Sequence, residues 1–391
     1  MPLVLLLRLT LVTVVLGAAV ACTNTEKPTP AAPLRVDWKA QDLPSPPGRA
    51  GRIAVRDAVM CAGSWYLVGG VFTADGESRP AVWSSPDATS WTSLRLAPVG
   101  YWAQRAVLSS VACRAGKLAM VGAKSGGAHG NPRVSTWYQR ADGVFVDVEA
   151  GFELYGGPLA VSVGRIAAGP DGWLIAGNRT SGAAVWVSPD ATEFTLIDDD
   201  PQLSRDDEFD TTAIDQVHDG SEWTVVGSAT TPGRLPRVPM SWRSEDGRAW
   251  QREEVPATEE FNDLERVVSL GDRLVAVGIR GDGFGTWQRH GDGWRTGERF
   301  GDLDDDGSAS PFVSALAVTG DQLVATVSDG TSYRMWTSGG GEDWRPVRTP
   351  TRPTTAGEHI MSVASDGDQV LLLSDDGERG RVWSARWPEH S

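Results

Sequence analysis

Short apolar runs broken by glycine or aspartate recur along almost the whole chain, and helical periodicity is nearly absent. The stretches 59–69 (VMCAGSWYLVG), 111–122, 166–177, 217–227 and 267–278 each set two such runs on either side of a Gly or Asp-Gly turn, and 318–327 and 363–373 complete the series. Alternating runs joined this tightly predict a β-hairpin in each. A second hairpin follows every one of them. Its form is clearest at Trp242, where Ser244, Glu245, Asp246, Gly247, Arg248 and Ala249 lead to Trp250: a strand, a turn through Asp246 and Gly247, and a second strand entered at the next tryptophan. Trp83 to Trp91 through Asp87, and Trp186 to Phe194 through Asp190, repeat the step. Trp137 to Phe145 and Trp336 to Trp344 keep it, Trp287 to Trp294 shortens it by one, and Trp383 begins a copy cut short at Ser391.

The leading tryptophans are therefore 83, 137, 186, 242, 287, 336 and 383, with gaps of 54, 49, 56, 45, 49 and 47. A period near 50 marks an array of supersecondary units. Four short strands per unit, seven units and no helices predict an all-β fold, a seven-bladed β-propeller of four-stranded antiparallel blades. The last unit lacks a fourth strand. Asp37, Trp38, Leu43 and Pro44 resemble the outer-strand stretches 249–256 and 343–350, so residues 34–40 are expected to supply the outer strand of the last blade. Closing the ring in this way removes open sheet edges.

The Ser-x-Asp-Gly-x-x-Trp turn resembles the Asp-box (BNR repeat) of sialidase-like propellers and of many secreted bacterial repeat proteins. The resemblance covers nearly all of 34–391, although the box is one residue shorter than usual and keeps its glycine only in some copies. It implies structural roles for Asp87, Trp91, Asp190, Asp246, Trp250 and Trp344, on turns between third and fourth strands and away from the ligand face. It also raises a sialidase-like glycoside hydrolase (exo-alpha-sialidase type) as the alternative activity. Sialidases carry an arginine triad, a Tyr nucleophile paired with Glu, and an Arg-Ile-Pro motif on six blades. Here Arg52, Ile53 and Ala54 lack the proline, seven repeats are counted, and Tyr155 near Glu153 is the only such pair in a rim loop. No catalytic residue is assigned. His129, His218, His290, His359 and His390 lack metal-ligand spacing.

Composition narrows the partners. A formal charge of −15, from 51 acidic and 36 basic side chains, argues against nucleic acid and leaves a protein or glycan ligand on a monomeric domain. The start of the chain reads as an export segment. Arg8, the apolar run 9–16 and small residues through Ala21 form a signal peptide over 1–21. Ala19, Val20, Ala21 and Cys22 are similar to a bacterial lipobox, which implies a diacylated Cys22, a lipoprotein anchored on the extracytoplasmic side of the cell membrane, and a proline-rich, disordered tether over 22–33.

Two further features stay open on sequence alone. Cys61 and Cys113 sit at equivalent places in consecutive units and form either a disulfide or two buried thiols. Asp302, Asp304 and Asp306 alternate before Gly307 as in a calcium loop, but position twelve is Val313 instead of a bidentate Glu, so calcium competes with a solvated acidic loop. Variable loops on one rim are where ligands are expected, with Tyr101, Trp102, Arg105, Phe209 and Phe261 as rim candidates. The expected function is binding or scaffolding.

Overall fold

Alternation of apolar and polar residues across tight turns makes each predicted hairpin a half-buried ribbon, and pairs of hairpins join into single sheets. A computed structural model describes residues 32–388 apart from 127–130, 234, 235, 259, 292, 305, 306 and 308. Within it the chain forms seven antiparallel blades. Their innermost strands are Arg52–Cys61, Val107–Arg114, Ala160–Gly169, Asp210–His218, Asn262–Leu270, Phe312–Thr319 and Ile360–Asp366, and the chain works outward from each. Each innermost strand packs beside the next, and Ile360–Asp366 lies against Arg52–Cys61, so the ring is closed. Among the described residues helix is confined to two turns, Ala103–Arg105 and Phe152–Tyr155.

The core lies between blades. One apolar cluster joins Trp65 and Trp83 of blade 1 to Leu371 and Leu373 of blade 7; others join blades 3 and 4 around Trp242, and blades 6 and 7 around Trp383. Trp83, Trp137, Trp186, Trp242 and Trp287 are fully buried. A buried indole N–H needs an acceptor. In four blades it reaches the connection from the preceding blade: Trp83 donates to the Pro44 carbonyl oxygen (2.8 Å), Trp186 to Leu154 (2.7 Å), Trp242 to Gln202 (2.8 Å) and Trp287 to Pro256 (3.1 Å). The recurrent tryptophan thus packs its ring and fixes where each blade is entered.

The N-terminal closure differs in one respect from the sequence expectation. Lys39–Gln41 pairs antiparallel with Gly380–Arg386, with Ala40 opposite Trp383, and is the fourth strand of blade 7. Leu34–Arg35, also assigned to that blade from sequence, pairs instead in parallel with Arg345–Arg348 and makes blade 6 five-stranded. The crossing is made at Trp38, whose indole donates to the Arg348 carbonyl oxygen at 3.1 Å and meets Trp387 edge-on at 6.4 Å. Cys22 and the proposed signal peptide lie outside the described residues.

Six innermost strands carry a β-bulge in their first half or middle, and Ala160–Gly169 carries two register shifts. In five of them the residue just before the bulge pairs with the glycine that closes the hairpin, as Leu264 pairs with Gly278. The reason is a close approach: a Cβ on Gly278 would lie 1.7 Å from the Asp263 carbonyl oxygen, and one on Gly227 would lie 1.9 Å from that of Thr212. Without a side chain there, the bulged strand can bend onto its partner.

Candidate functional site

A bulge leaves part of the ladder unpaired, and a buried N–H without an acceptor is costly. Here the preceding blade supplies the acceptor. Asp57 Oδ2 accepts the Val111 N–H (3.0 Å), Ser110 Oγ that of Ile166 (3.1 Å), and Asp215 Oδ2 that of Val267 (3.1 Å), while Glu265 Oε2 accepts that of Val313. Side chains of one blade thereby clasp the backbone of the next around the channel.

The same bulges turn arginines inward. Arg56, Arg165 and Arg266 come from blades 1, 3 and 5 and line one cavity of about 400 Å³, together with Phe312, Tyr333 and His359. The cavity lies at the end of the channel where the chain enters the innermost strands. Arg56 binds Asp375 (2.8 Å) and Glu358 (2.9 Å), and Arg165 binds Asp57 (2.9 Å). Arg266 donates to the Ser314 and Glu265 carbonyl oxygens, and among the described residues no carboxylate lies within ion-pairing distance of it. Burial pushes the Arg266 guanidinium down despite the pull of Asp215. At Arg165 burial acts in the same direction, but Asp57 and Asp215 outweigh it and raise the group.

Asp215 and Glu265 shift upward. Burial raises Asp215, and burial reinforced by the Asp263 carboxylate raises Glu265 from 4.5 to about 8. Because the folded value lies above the unfolded one, neutral Glu265 contributes its full stability below about pH 4.5, and that contribution is lost as the pH rises through about 8. Glu265→Gln keeps an acceptor for Val313 without the charge. The variant's melting temperature should therefore fall less steeply than that of the wild type across this window. A constant gap between the two melting curves from acid to alkaline pH would show that Glu265 does not titrate there.

Neither Tyr333 nor Tyr155 is prepared as a nucleophile. Tyr333 donates its hydroxyl to the His359 carbonyl oxygen (2.9 Å), and burial pushes it up to about 12. Tyr155 shares a hydrogen bond with Thr136 (3.1 Å), is raised by burial, and is not among the residues lining the cavity. Arg52 faces the seam of blades 7 and 1, bound to buried Asp375 and stacked on Phe72 at 4.5 Å.

The remaining sequence candidates fall on both faces. Asp87 accepts the N–H groups of Thr89 (2.8 Å) and Ser90 (2.7 Å), Asp246 those of Arg248 (2.8 Å) and Ala249 (3.0 Å), and Asp190 that of Thr192 (2.9 Å). Trp91 and Trp250 are buried beside these turns, and Trp344 stacks on Phe300 at 4.1 Å. On that face Cys61 and Cys113 form a disulfide with Cα atoms 5.6 Å apart. Asp304 accepts the Thr331 hydroxyl (2.7 Å), and Asp302 ends the outer strand of blade 5. Asp306 lies outside the described residues; among the described ones no three His, Cys, Asp or Glu side chains group to hold a metal ion. On the opposite rim Tyr101 and Trp102 are exposed, with Arg105 stacked on Tyr101 at 3.9 Å. Phe209 packs on the core between blades 3 and 4 beneath Arg252, and Phe261 is half-exposed beside Arg237.

The channel arginines escaped the sequence reading, since no spacing motif marks them. Aligning the hairpins on their closing glycines would have placed all three at the bulge.

No protein-family model matches the chain, and no curated protein matches it. Solved structures do. The β-propeller domain of the trilobed protease from Pyrococcus furiosus is similar at 12% identity over 88% of this chain and 98% of its own, with a TM-score of 0.51. A puromycin-hydrolyzing peptidase of Mycobacterium tuberculosis matches at 12% identity over 86% of this chain, with a TM-score of 0.50; the chain spans 51% of its length. A Trypanosoma rangeli sialidase matches at 12% identity over 90% of this chain and 58% of its own, but with a TM-score of 0.42 the likeness is too loose to carry an argument. Identities this low show the propeller fold and nothing finer.

Proposed function

We propose that the chain is an exported binding module that takes an anionic group, a carboxylate or phosphate, at the mouth of its central channel. The observation behind this reading is the convergence of Arg56, Arg165 and Arg266 on one cavity, where planar guanidinium groups suit such oxygens. Export is supported by the Cys61–Cys113 disulfide, a bond that persists in oxidising compartments. Lipid anchoring through Cys22 on the extracytoplasmic side rests on the sequence alone. The competing reading, a sialidase-like hydrolase, draws on the same three arginines. Against it, covalent catalysis needs a nucleophile activated by a neighbouring base, and Tyr333 is bound to a backbone carbonyl with its proton held more tightly than usual.

Titration calorimetry with a panel of sugars and short peptides bearing carboxylates or phosphates tests both readings. Binding of at least one member is expected. Arg165→Gln or Arg266→Gln should weaken it roughly 10-fold to 100-fold, as befits a lost charge-assisted contact of about 1.5–3 kcal/mol. No turnover of an aryl sialoside is expected. A panel without binders would remove the binding reading, and arginine-dependent sialoside cleavage would establish the hydrolase instead.

A further inference from the structure

The channel cavity is built from two unlike walls. Blades 3 and 5 give it Arg165 and Arg266, while blades 6 and 7 give it Phe312 and Ile360. Arg56, from blade 1, is engaged by Asp375 and Glu358. The other two arginines keep free donors. Arg165 uses Nη2 on Asp57, and Arg266 uses Nε and Nη1 on backbone carbonyl oxygens. Among the described residues Arg165 Nε and Nη1 and Arg266 Nη2 have no hydrogen-bond partner, and none of these three atoms is sealed from solvent. No described carboxylate lines the cavity. Asp57 and Asp215 stand behind the arginines, each accepting a backbone N–H of the next blade. Their charges offset part of that on the guanidinium groups, so this wall suits one negative charge better than two.

The opposite wall is apolar. Phe312 meets Tyr333 edge-on at 5.8 Å, and the Tyr333 hydroxyl is already bound to the His359 carbonyl oxygen. Other lining hydroxyls are committed too. Thr355 shares a hydrogen bond with Ser328 (2.6 Å), Ser314 donates to the Thr326 carbonyl oxygen (2.9 Å), and Ser109 reaches that of Val121 (3.4 Å). A sugar would lose water from its hydroxyls here and find few partners in exchange, which is costly. Depth orders the two walls. Phe312 precedes the bulge of its strand and Ile360 opens its own, so both stand at the mouth; Arg165 lies within its bulge and Arg266 just past its own, further in.

Building on the channel reading above, we infer that the ligand is a monocarboxylate joined to an apolar body. The carboxylate enters first and meets Arg165 and Arg266, and the body stays at the mouth against Phe312 and Ile360. A cavity of about 400 Å³ has the size of a small-molecule site. A free aromatic or branched acid and the C-terminal residue of a peptide share this chemistry.

Ligand-observed NMR titration of the intact protein tests the class with phenylpropionate, its neutral analogue phenylpropanamide, acetate, glucuronate and phenyl phosphate. Phenylpropionate should bind about 10-fold to 100-fold more tightly than acetate or glucuronate, the gain expected from burying a large apolar group. The amide and the dianionic phenyl phosphate should each bind at least about 10-fold more weakly than phenylpropionate, for want of a charge-assisted contact or from an excess of charge. Ile360→Ser and Phe312→Ser should narrow the gap between phenylpropionate and acetate and leave acetate itself unchanged, a pattern that misfolding does not give. N-acetylphenylalanine against longer peptides ending in Phe separates a free acid from a chain terminus. Glucuronate or phenyl phosphate binding as tightly as phenylpropionate, and lost in Arg266→Gln, would overturn this inference and leave the channel reading standing. Equal binding of the amide would overturn it as well, and no binding by any of these anions would remove it whatever the fate of the wider reading.

Discussion

Removing residues 1–41 should open the ring. Leu34, Val36 and Trp38 pack on the core between blades 6 and 7. At roughly 1.5–3 kcal/mol for each large side chain fully buried, their partial burial contributes on the order of 4 kcal/mol. A domain's whole stability is only about 5–15 kcal/mol, so the loss is a large share of it. The truncation also uncovers two strand edges at once, along Arg345–Arg348 and Gly380–Arg386. Bare edges pair with other chains. A chain starting at Asp42 keeps Pro44 as the acceptor for Trp83, so blade 1 is left intact. Its denaturant midpoint should fall sharply and its elution should shift toward oligomers, with Trp38→Ser falling partway. A truncated chain that stays monomeric and unfolds at the wild-type midpoint would show that the ring holds without its closure.

Loss of the disulfide is the second large effect. Cys61 and Cys113 are 52 residues apart and lie at the ends of the innermost strands of blades 1 and 2. Cross-linking a loop of that length restricts the unfolded chain, a contribution of about 4 kcal/mol in the chain-entropy picture. The double variant Cys61→Ser/Cys113→Ser should lose stability on that order in urea titration and melt several degrees lower. Cys61 is only 2% exposed, so reductant should act slowly on the folded protein and quickly once it is unfolded. Two titratable thiols in the purified native protein, with unchanged melting in the double variant, would contradict this.

Repeats, hairpins and ring were legible because each depends on local signals: a turn residue, an alternating run, a recurring tryptophan. Trp242 and Trp287 could be read as packing residues from their period alone. Closure by the N-terminal segment was legible too, from the likeness of 37–44 to other outer strands. Its division between two blades was not, because Leu34 and Val36 alternate equally well in either neighbour and only tertiary contact at Trp38 decides. The channel site was hidden for a different reason. Arg56, Arg165 and Arg266 are separated by two whole repeats each, and the bulge that aims them is a backbone feature with no side-chain signature beyond a glycine on the opposing strand. Tyr101, Trp102 and Arg105 were visible as rim residues from their place in a connection between blades.

Four of the clasps around the channel point the same way, from one blade to its successor. Asp57, Ser110, Asp215 and Glu265 each finish a neighbour's hydrogen bonding and not their own. Losing blade 1 would strand the Val111 N–H without its acceptor, and losing blade 4 would strand that of Val267. The number of modules is locked by sideways recognition as well as by curvature, and shuffling repeats is not a neutral edit to this protein.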